Sequence, residues 1–264
     1  MPLTIPYPEI DPILFQIGPF ALRWYSLAYI GGLIAAWRLC MALAKRPPQL
    51  IKPVHFDDFL VWATLGVILG GRLGYVIFYQ PEYYLNHPGE ILMVWQGGMS
   101  FHGGFLGVAL AAWLFVRRRG LSPLAFGDLL AIPAPIGLGL GRLANFINGE
   151  LFGRISDAPW AIVFPNGGSV PRHPSQLYEA TLEGPVLLTL LCALVFFCRA
   201  LERPGTVMGA FIAGYGLARI ISEQFRQPDT QLGFLTAGTT MGQWLSLPMI
   251  GFGLWLIWRA RKVN

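Results

Sequence analysis

Hydrophobic residues fall into seven long segments separated by shorter polar ones. A helix needs about 20 mainly apolar residues to cross the ~30 Å hydrocarbon layer of a bilayer, and most of these segments approach or reach that length. The pattern therefore predicts an all-α membrane protein with about seven transmembrane helices. The predicted spans are Phe20–Ala44, Phe56–Tyr79, Gly98–Val116, Leu124–Ile147, Gly184–Cys198, Val207–Ile221 and Met241–Trp258.

Two of these spans depart from the simple pattern of a long unbroken helix. The fourth contains Pro133 and Pro135, which are tolerated in a membrane helix where neighbouring helices satisfy the freed carbonyls. The fifth, Gly184–Cys198, is short for a complete crossing. We therefore expect an interruption in the fourth span.

Composition agrees with a lipid environment. The chain is 54% hydrophobic and 12% charged, whereas soluble domains carry about 25% charged residues. The net charge of +5 does not form one basic patch, because the positive residues lie in short clusters between apolar segments. This distribution is typical of membrane proteins and argues against a nucleic-acid partner.

The positive clusters also predict the orientation of the chain. They follow the first, third, fifth and seventh spans, whereas the first twenty residues and residues 80–97 contain no Lys or Arg. Positive loops stay in the cytoplasm, so the N-terminus is expected outside and the C-terminus inside. The clusters are Lys45, Arg46 and Lys52; Arg117, Arg118 and Arg119; Arg199 and Arg203; and Arg259, Arg261 and Lys262.

Two outer segments, 80–97 and 148–183, are longer than simple connections. The second is rich in Gly, Pro, Ser and Asn and contains WAIVFP, a candidate short strand. It is expected to form a small cap on the outer face. Because the sequence shows neither an internal repeat nor a second soluble domain, residues 1–264 are expected to form a single integral-membrane domain.

Five polar side chains from five spans are expected at one depth, near the outer leaflet. A helix rises about 1.5 Å per residue, which places these residues towards the outer ends of their spans. Charges in a membrane cost about 2.5–3.5 kcal/mol each on insertion scales, so they are candidate functional residues. The five are Tyr25, Arg72, His102, Arg142 and Arg219.

Spacing adds companions on two of these helices. Tyr215, Arg219 and Glu223 lie along one helix face, although Arg219 and Glu223 could simply neutralise each other. Arg142 shares a face with Asn145, although an arginine there could instead extend to lipid headgroups. Asn148 and Glu150 leave that face, and the helix is expected to end near Asn148 and Gly149 because glycine favours helix ends.

The histidines and cysteines are weaker signals. His102 precedes Gly103 and Gly104, which permit close approach of a backbone or a substrate, but a lone histidine is also often structural. His173, in the predicted cap, is expected to be structural. Cys40, Cys192 and Cys198 lie in apolar segments without metal-binding spacing, so they are interpreted as small buried hydrophobic residues and no metal site is expected.

The arginines indicate the ligand. A guanidinium group is a planar fork that suits phosphate oxygens, and the abundant phosphate at this depth belongs to phospholipid headgroups. Glycines in the same spans permit close helix packing or leave grooves for acyl chains. The residues therefore predict an outward-facing phospholipid site, and leave open whether a reaction occurs there.

The segment GRLANFINGELFG, residues 141–153, resembles the signature of the bacterial phosphatidylglycerol–prolipoprotein diacylglyceryl transferases. The pattern Gly-Arg-x-x-Asn-Phe-x-Asn-x-Glu-x-x-Gly is filled at every fixed position, ending at Gly153. The resemblance extends over nearly the whole chain. Its other segments are LRWYSLAY at 22–29, GGRLGYV at 70–76, GGMSFHGG at 97–104, HPSQLYE at 173–179 and YGLARIISEQFR at 215–226.

The resemblance implies a specific reaction at the bacterial inner membrane, with the active site facing the periplasm. The sn-1,2-diacylglyceryl group would pass from phosphatidylglycerol to the lipobox cysteine thiol at the signal peptide of a prolipoprotein. A thioether forms, glycerol 1-phosphate is released, and no cofactor is expected. Besides these two substrates, the lipid bilayer is the expected partner.

The hypothesis assigns catalysis to three residues. His102 would act as the base for the thiol, while Arg142 and Arg219 would bind the phosphate; alternatively, the arginine field alone could lower the thiol pKa. The remaining candidates are expected to bind substrate or orient these groups. They are Tyr25, Asn145, Asn148, Glu150, Gly153, Tyr215, Glu223 and Arg72.

Two other classes of protein compete with the transferase. A phospholipid transporter predicts polar groups near the membrane midplane and an internal repeat, and the sequence shows neither. A lipid-binding scaffold would explain the arginines but gives no role to His102 or to the asparagines.

Overall fold

The computed structural model describes residues 5–18, 20–228 and 233–262. Each predicted span overlaps one helix or consecutive helical segments, so the mainly helical class predicted from the sequence is confirmed. The helices are α1 Trp24–Ala44, α2 Val54–Phe78, α3 Pro81–Asn86, α4 Phe101–Arg119, α5 Pro123–Ala131, α6 Ala134–Ile147, α7 Ser175–Thr181, α8 Leu187–Cys198, α9 Thr206–Ser222 and α10 Met241–Lys262.

Length and composition qualify some of these helices as membrane spans. Trp24–Ala44, Val54–Phe78 and Ser175–Cys198 are long and apolar enough to cross a bilayer, and the bent pair α5–α6 adds a fourth candidate. The bend between α5 and α6 is 41° and lies at the prolines, as the sequence predicts. Helix α9 is apolar but shorter.

Four short strands accompany the helices. Strand β1 (Ile5–Pro6) pairs in parallel with β4 (Ile162–Val163), which confirms the strand predicted in WAIVFP. Strands β2 (Ile13–Ile17) and β3 (Phe20–Arg23) form an antiparallel pair. The predicted start of the first span at Phe20 is therefore wrong: the helix begins at Trp24 because the preceding residues pair as a strand.

The fifth span also differs from its prediction. Its helical path begins at Ser175, not at Gly184, and passes through a π-helical segment, Leu182–Val186, before α8. Gly184 has φ −95° and ψ −106°, and a Cβ on it would lie 3.2 Å from the Cα of Gly139. The close approach of two glycines therefore accompanies the irregular turn, which a helical hydrophobicity pattern does not reveal.

The described chain divides into two compact units, residues 1–40 with 127–264, and residues 41–126. In the smaller unit, α2 and α4 cross at glycines. A Cβ on Gly66 would lie 2.8 Å from the carbonyl oxygen of Gly107, and one on Gly74 would lie 2.7 Å from the Cα of Gly103. The sequence allows these glycines either to pack helices closely or to leave grooves for acyl chains. At this crossing they pack the helices closely.

Aromatic rings complete the core of the smaller unit. Phe56 stacks on Phe126 with centroids 5.1 Å apart, and Phe59 and Phe115 pack against the same ring. These four side chains are buried. They pack the start of α2 against the end of α4.

The larger unit contains a buried acid and a second glycine contact. Asp128 accepts hydrogen bonds from the backbone N–H groups of Gly205 (2.8 Å) and Met208 (2.7 Å), at the start of α9. Helices α9 and α10 approach at Gly209 and Gly253, where an added Cβ on Gly209 would lie 2.6 Å from the opposite carbonyl oxygen. Asp128 thereby satisfies N–H groups that the first turn of a helix leaves without partners.

Candidate active site

The signature segment ends α6 as predicted. The helix stops at Ile147, Asn148 follows as the capping residue, and Gly149 takes the left-handed conformation with φ +64°. The hydroxyl of Tyr7 donates to the carbonyl oxygens of Phe146 (2.6 Å) and Ile147 (2.7 Å). The N-terminal segment therefore satisfies carbonyls that the helix end would leave free.

A polar network surrounds Asn145, which is 4% exposed. Its Nδ2 donates to the hydroxyl of Tyr25 (2.7 Å) and to Oε1 of Glu150 (2.9 Å), while Nδ2 of Asn148 lies 3.5 Å from the same oxygen. Nε2 of Gln176 donates to the backbone carbonyl of Glu150 (2.6 Å). The structure thus brings together Tyr25, Asn145, Asn148 and Glu150, although the spacing predicts that Asn148 and Glu150 leave the helix face of Asn145.

Arg142 is paired with two buried glutamates. Its Nη1 lies 2.7 Å from Oε2 of Glu179, and its Nε lies 2.9 Å from Oε2 of Glu183. The Arg142 side chain is 16% exposed and both carboxylates are fully buried. These ion pairs direct the Arg142 side chain to buried carboxylates, which favours membership of a polar cluster over the alternative of a side chain extended to lipid headgroups.

Arg219 reaches the same carboxylate from another helix. Its Nη2 lies 2.5 Å from Oε1 of Glu223, the predicted pair one turn apart, and its Nη1 lies 3.7 Å from Oε1 of Glu179. Nη1 of Arg226 lies 3.2 Å from that same Oε1. Arg219 and Glu223 therefore do pair, but as part of a larger group.

We call these residues the arginine–glutamate cluster: Arg142, Arg219, Arg226, Glu179, Glu183 and Glu223. Its three arginines and three glutamates carry equal and opposite formal charge. The glutamates are buried, whereas Arg142 and Arg219 keep 16% and 17% of their side-chain surface exposed. The accessible edge of the cluster is therefore made of guanidinium groups, which suit an anionic ligand.

Tyr215 lies beside this cluster, as the spacing on its helix predicts. It is half-buried and interacts electrostatically with Arg142, Arg219 and Glu183. Arg219 also lines a cavity, together with Glu223, Arg226, Pro228, Gly233, Thr240, Met241 and Gly242. The cluster thus has both a tyrosine and a cavity beside it.

Gly153 has an architectural reason to be glycine. A Cβ there would lie 2.6 Å from the carbonyl oxygens of both His173 and Phe225, and its N–H donates to His173 (2.9 Å). The side chain of the next residue, Arg154, donates to the carbonyl of Glu223 (2.9 Å). This arrangement favours a role for Gly153 in joining three segments over direct substrate binding.

Arg72 belongs to the smaller unit and is 2% exposed. Its guanidinium donates to the carbonyl oxygens of Gly97 (2.6 Å), Glu90 (2.7 Å) and Ile91 (2.7 Å), and it lies over the ring of Tyr84. These partners organise the outer segment after α2. They favour a structural role for Arg72 over phosphate binding.

His102 also belongs to the smaller unit, in the first turn of α4. Its imidazole is exposed, and Ser100 caps the helix by accepting from the N–H of Gly103 (3.2 Å). Gly103 lies against the backbone of Gly70 and Gly74, so the glycine after the histidine is explained by helix packing. The base role of His102 stays a prediction.

His173 lies in the larger unit, half-buried between aromatic rings. Its Nδ1 lies 3.2 Å from the hydroxyl of Tyr178, and its ring meets that of Phe225 edge-on at 5.2 Å. Burial lowers the pKa of His173 below its usual value of about 6.5. These contacts support the predicted structural role.

Four site residues were missed by reasoning from the sequence: Glu179, Glu183, Arg226 and Gln176. The prediction that the fifth span begins at Gly184 leaves both glutamates in the cap, where a charged side chain is not a signal of function. Their spacing of one turn, next to an apolar segment, is the signal that could have identified them. Within the described ranges, no group of three His, Cys, Asp or Glu side chains is arranged to hold a metal ion.

Cys40 agrees with its prediction, Cys192 agrees only in part, and Cys198 does not. Cys40 is buried and its Sγ donates to the carbonyl of Leu129 (3.2 Å), and Cys192 is half-buried. Cys198, at the end of α8, is exposed, so its interpretation as a buried residue is wrong.

Long apolar helices, together with a buried ionic cluster that has a guanidinium edge, define the class of the molecule as a helical membrane protein. The sequence model of the family "Prolipoprotein diacylglyceryl transferase" matches residues 12–259. The chain therefore belongs to the prolipoprotein diacylglyceryl transferase family.

Curated relatives agree over the full length. A phosphatidylglycerol–prolipoprotein diacylglyceryl transferase of Azospirillum brasilense is 58% identical over 262 residues, covering 98% of each chain. Enzymes of the same name from Paramagnetospirillum magneticum and Rhodospirillum rubrum are also 58% identical, covering 99% and 100% of this chain and 98% and 97% of their own. The protein is accordingly an enzyme, a transferase.

Proposed function

We propose that this enzyme transfers the sn-1,2-diacylglyceryl group of phosphatidylglycerol to the lipobox cysteine of a prolipoprotein. The thiol sulfur attacks the carbon of the diacylglyceryl group that is bonded to a phosphate oxygen. The C–S bond forms as that C–O bond breaks, the phosphate leaves with the bonding electrons, and the thiol proton passes to the base. The products are a thioether-linked lipoprotein precursor and glycerol 1-phosphate. The observation that carries the proposal is the meeting of Arg142 and Arg219 at Glu179, in a chain of this family.

The leaving group explains the arginines. Its phosphate changes from a diester with one negative charge to a monoester that gains charge as the C–O bond breaks. Donors that are already in place stabilise such charge without reorganisation, and one donor in a dry site contributes about 3 kcal/mol. We assign this role to the exposed edges of Arg142 and Arg219.

We assign the base role to His102. A cysteine thiol has a pKa of about 8.5 and is a weak nucleophile until it is deprotonated. A neutral imidazole, which titrates near pH 6.5, can accept that proton. The exposure of His102 is compatible with contact to a substrate.

The remaining polar residues would orient these groups. Tyr25, Asn145 and Glu150 hold one another through the hydrogen bonds of Asn145, at the end of the helix that carries Arg142. Glu223 holds Arg219, and Tyr215 borders both arginines. We propose that this network fixes the site before substrate arrives.

For topology we propose a multi-pass protein of the bacterial inner membrane with seven spans, the N-terminus outside and the C-terminus in the cytoplasm. Residues 148–183, of which 175–183 already belong to the fifth helical path, would lie towards the periplasmic face as part of a single integral-membrane domain. Support comes from the distribution of Lys and Arg and from the agreement between helices and predicted spans. The active site would then face the periplasm and the outer leaflet.

The test uses purified protein, phosphatidylglycerol vesicles and a lipobox peptide. The expected result is release of glycerol 1-phosphate together with a peptide whose mass has increased by one diacylglyceryl group. A peptide with serine in place of the lipobox cysteine is the control and should stay unmodified. Lipid binding or lipid movement without glycerol phosphate would instead indicate a scaffold or a transporter.

A further inference from the structure

Glu179 is the point at which three arginines from three parts of the chain meet. It lies on α7 and is 0% exposed, whereas Arg142 lies on α6, Arg219 on α9 and Arg226 just beyond α9. Its two oxygens lie 2.7 Å from Arg142, 3.7 Å from Arg219 and 3.2 Å from Arg226. One carboxylate therefore connects helices that are distant in sequence.

The other two glutamates of the cluster have narrower roles. Glu183 pairs with Arg142, and Glu223 pairs with Arg219 within its own helix. Among the described ion pairs, neither of these two joins Arg142 to Arg219, although Glu183 also interacts electrostatically with Arg219. The shared contact with Glu179 does relate them, because both guanidinium groups reach oxygens of the same carboxylate.

The charge balance indicates that the site is not arranged for the tightest possible binding of an anion. An anion-binding site with unpaired arginines would hold a phosphodiester strongly. Here three buried carboxylates offset the three arginines. Binding a substrate and its transition state equally well lowers KM without raising kcat. Because the carboxylates partly neutralise the arginines, the arginines interact more strongly with the phosphate that gains charge during the reaction than with the bound lipid.

We infer that Glu179 is a positioning residue of the transferase. It sets the spacing of Arg142 and Arg219 and moderates their charge, so that they act on the phosphate as it leaves and not mainly on the bound lipid. This inference rests on the proposed function. It concerns a residue that does not itself touch the reacting atoms.

The test is Glu179→Gln, which keeps the shape of the side chain and removes its charge. A misplacement of about 1 Å can reduce turnover about a hundredfold, so kcat for the lipobox peptide is expected to fall by about this factor. The KM for phosphatidylglycerol is expected to stay equal or to fall, since the arginines become less neutralised. A residue with a merely structural role would lower the yield of folded protein and leave kcat and KM of the folded fraction unchanged.

Controls separate the possible failures. Glu202→Gln changes an exposed glutamate and should match the wild type. If Glu179→Gln does not fold, Glu179→Asp keeps the charge but is one methylene shorter, and it should fold with reduced kcat. Wild-type kcat in the folded variant, or a raised KM, overturns the inference alone, whereas a wild type that releases no glycerol 1-phosphate overturns the proposed function with it.

Discussion

Two arginines show two ways of burying a positive charge in this protein. Arg72 directs its N–H groups to neutral backbone carbonyls, and Arg142 directs its own to two carboxylates. Removing one partner from a buried ion pair leaves an uncompensated charge and typically costs about 3–5 kcal/mol. The type of partner thus distinguishes an arginine that organises a loop from one that belongs to the arginine–glutamate cluster.

At this scale the sequence predicts local contacts better than distant ones. Asn145 and Glu150 both belong to the signature segment and are hydrogen-bonded in the structure, whereas the partner Tyr25 comes from another span. Glu179 lies 37 positions beyond Arg142 by residue number (179 − 142). Such a contact depends on how helices pack, which one sequence does not specify.

His102→Gln tests the base assignment. Glutamine keeps a polar side chain but cannot accept the thiol proton at neutral pH, and general bases typically contribute a factor of about 10²–10⁴. Thioether formation is therefore expected to fall by at least about a hundredfold near pH 7. The measurement is the rate of lipobox-peptide modification across pH.

The matched control for this variant is His87→Gln, which alters another exposed histidine and should leave the rate unchanged. Near wild-type turnover of His102→Gln would show that the base role is wrong. The thiol would then be activated by the positive field of the arginines alone.

His173 gives a prediction for stability against pH. Burial lowers its pKa in the folded state, so the folded state favours the neutral ring. Its contribution to stability is complete above the unfolded pKa of about 6.5 and is lost as pH falls through the lower folded value. The melting temperature should decrease between pH 7 and pH 5, and less so in His173→Gln; equal decreases in both proteins would contradict this account.

At the scale of elements, glycine decides how α2 and α4 pack. The two helices approach so closely that an added Cβ on either would meet the backbone of the other. Small residues at such crossings permit the van der Waals contact that drives helix association in lipid. The sequence shows the glycines but not which helix faces them, because spacing alone also allows an open groove.

Gly74→Ala tests this crossing. Its new Cβ would lie 2.7 Å from the Cα of Gly103, so the helices must separate, and overpacking of this kind costs about 1–3 kcal/mol. Thermal unfolding of the purified protein in detergent should show a lower midpoint. Gly31→Ala is the control, because its Cβ meets nothing within 4 Å, and a similar loss in both variants would show that the crossing is not the cause.

Element boundaries were predicted well where local chemistry fixes them and poorly where tertiary contacts do. Prolines mark the interruption between α5 and α6, and Gly149 marks the end of α6. By contrast, the π-helical segment at Leu182–Val186 accompanies the approach of Gly139 to Gly184. The pairing of β3 with β2 similarly shifts the start of α1 to Trp24.

At the scale of the whole molecule, the proposed topology can be tested by chemical labelling. A variant with Cys40, Cys192 and Cys198 replaced by serine should keep near wild-type activity, since none of the three is assigned a role in the reaction.

In this cysteine-free variant, two exposed positions, Glu9 and Glu202, each receive a single cysteine for the labelling test. A membrane-impermeant maleimide should label Glu9→Cys in intact spheroplasts and Glu202→Cys only after lysis.

The opposite labelling pattern would reverse the orientation and place the signature segment at the cytoplasmic face. Loss of activity in the cysteine-free variant would point to a covalent step that the proposed mechanism lacks. The helical class of the molecule was predictable because lipid requires long apolar helices whose backbone groups bond internally. Its division into two compact units was not, since hydrophobicity along the chain does not record which helices associate.

The hydroxyl of Tyr7 has a practical consequence for anyone who purifies this protein. Because it donates to the carbonyls at the end of α6, the segment around Tyr7 is attached to the helix that carries Arg142. Affinity tags and fluorescent fusions are therefore better placed after Lys262, where α10 ends, than ahead of the first strand.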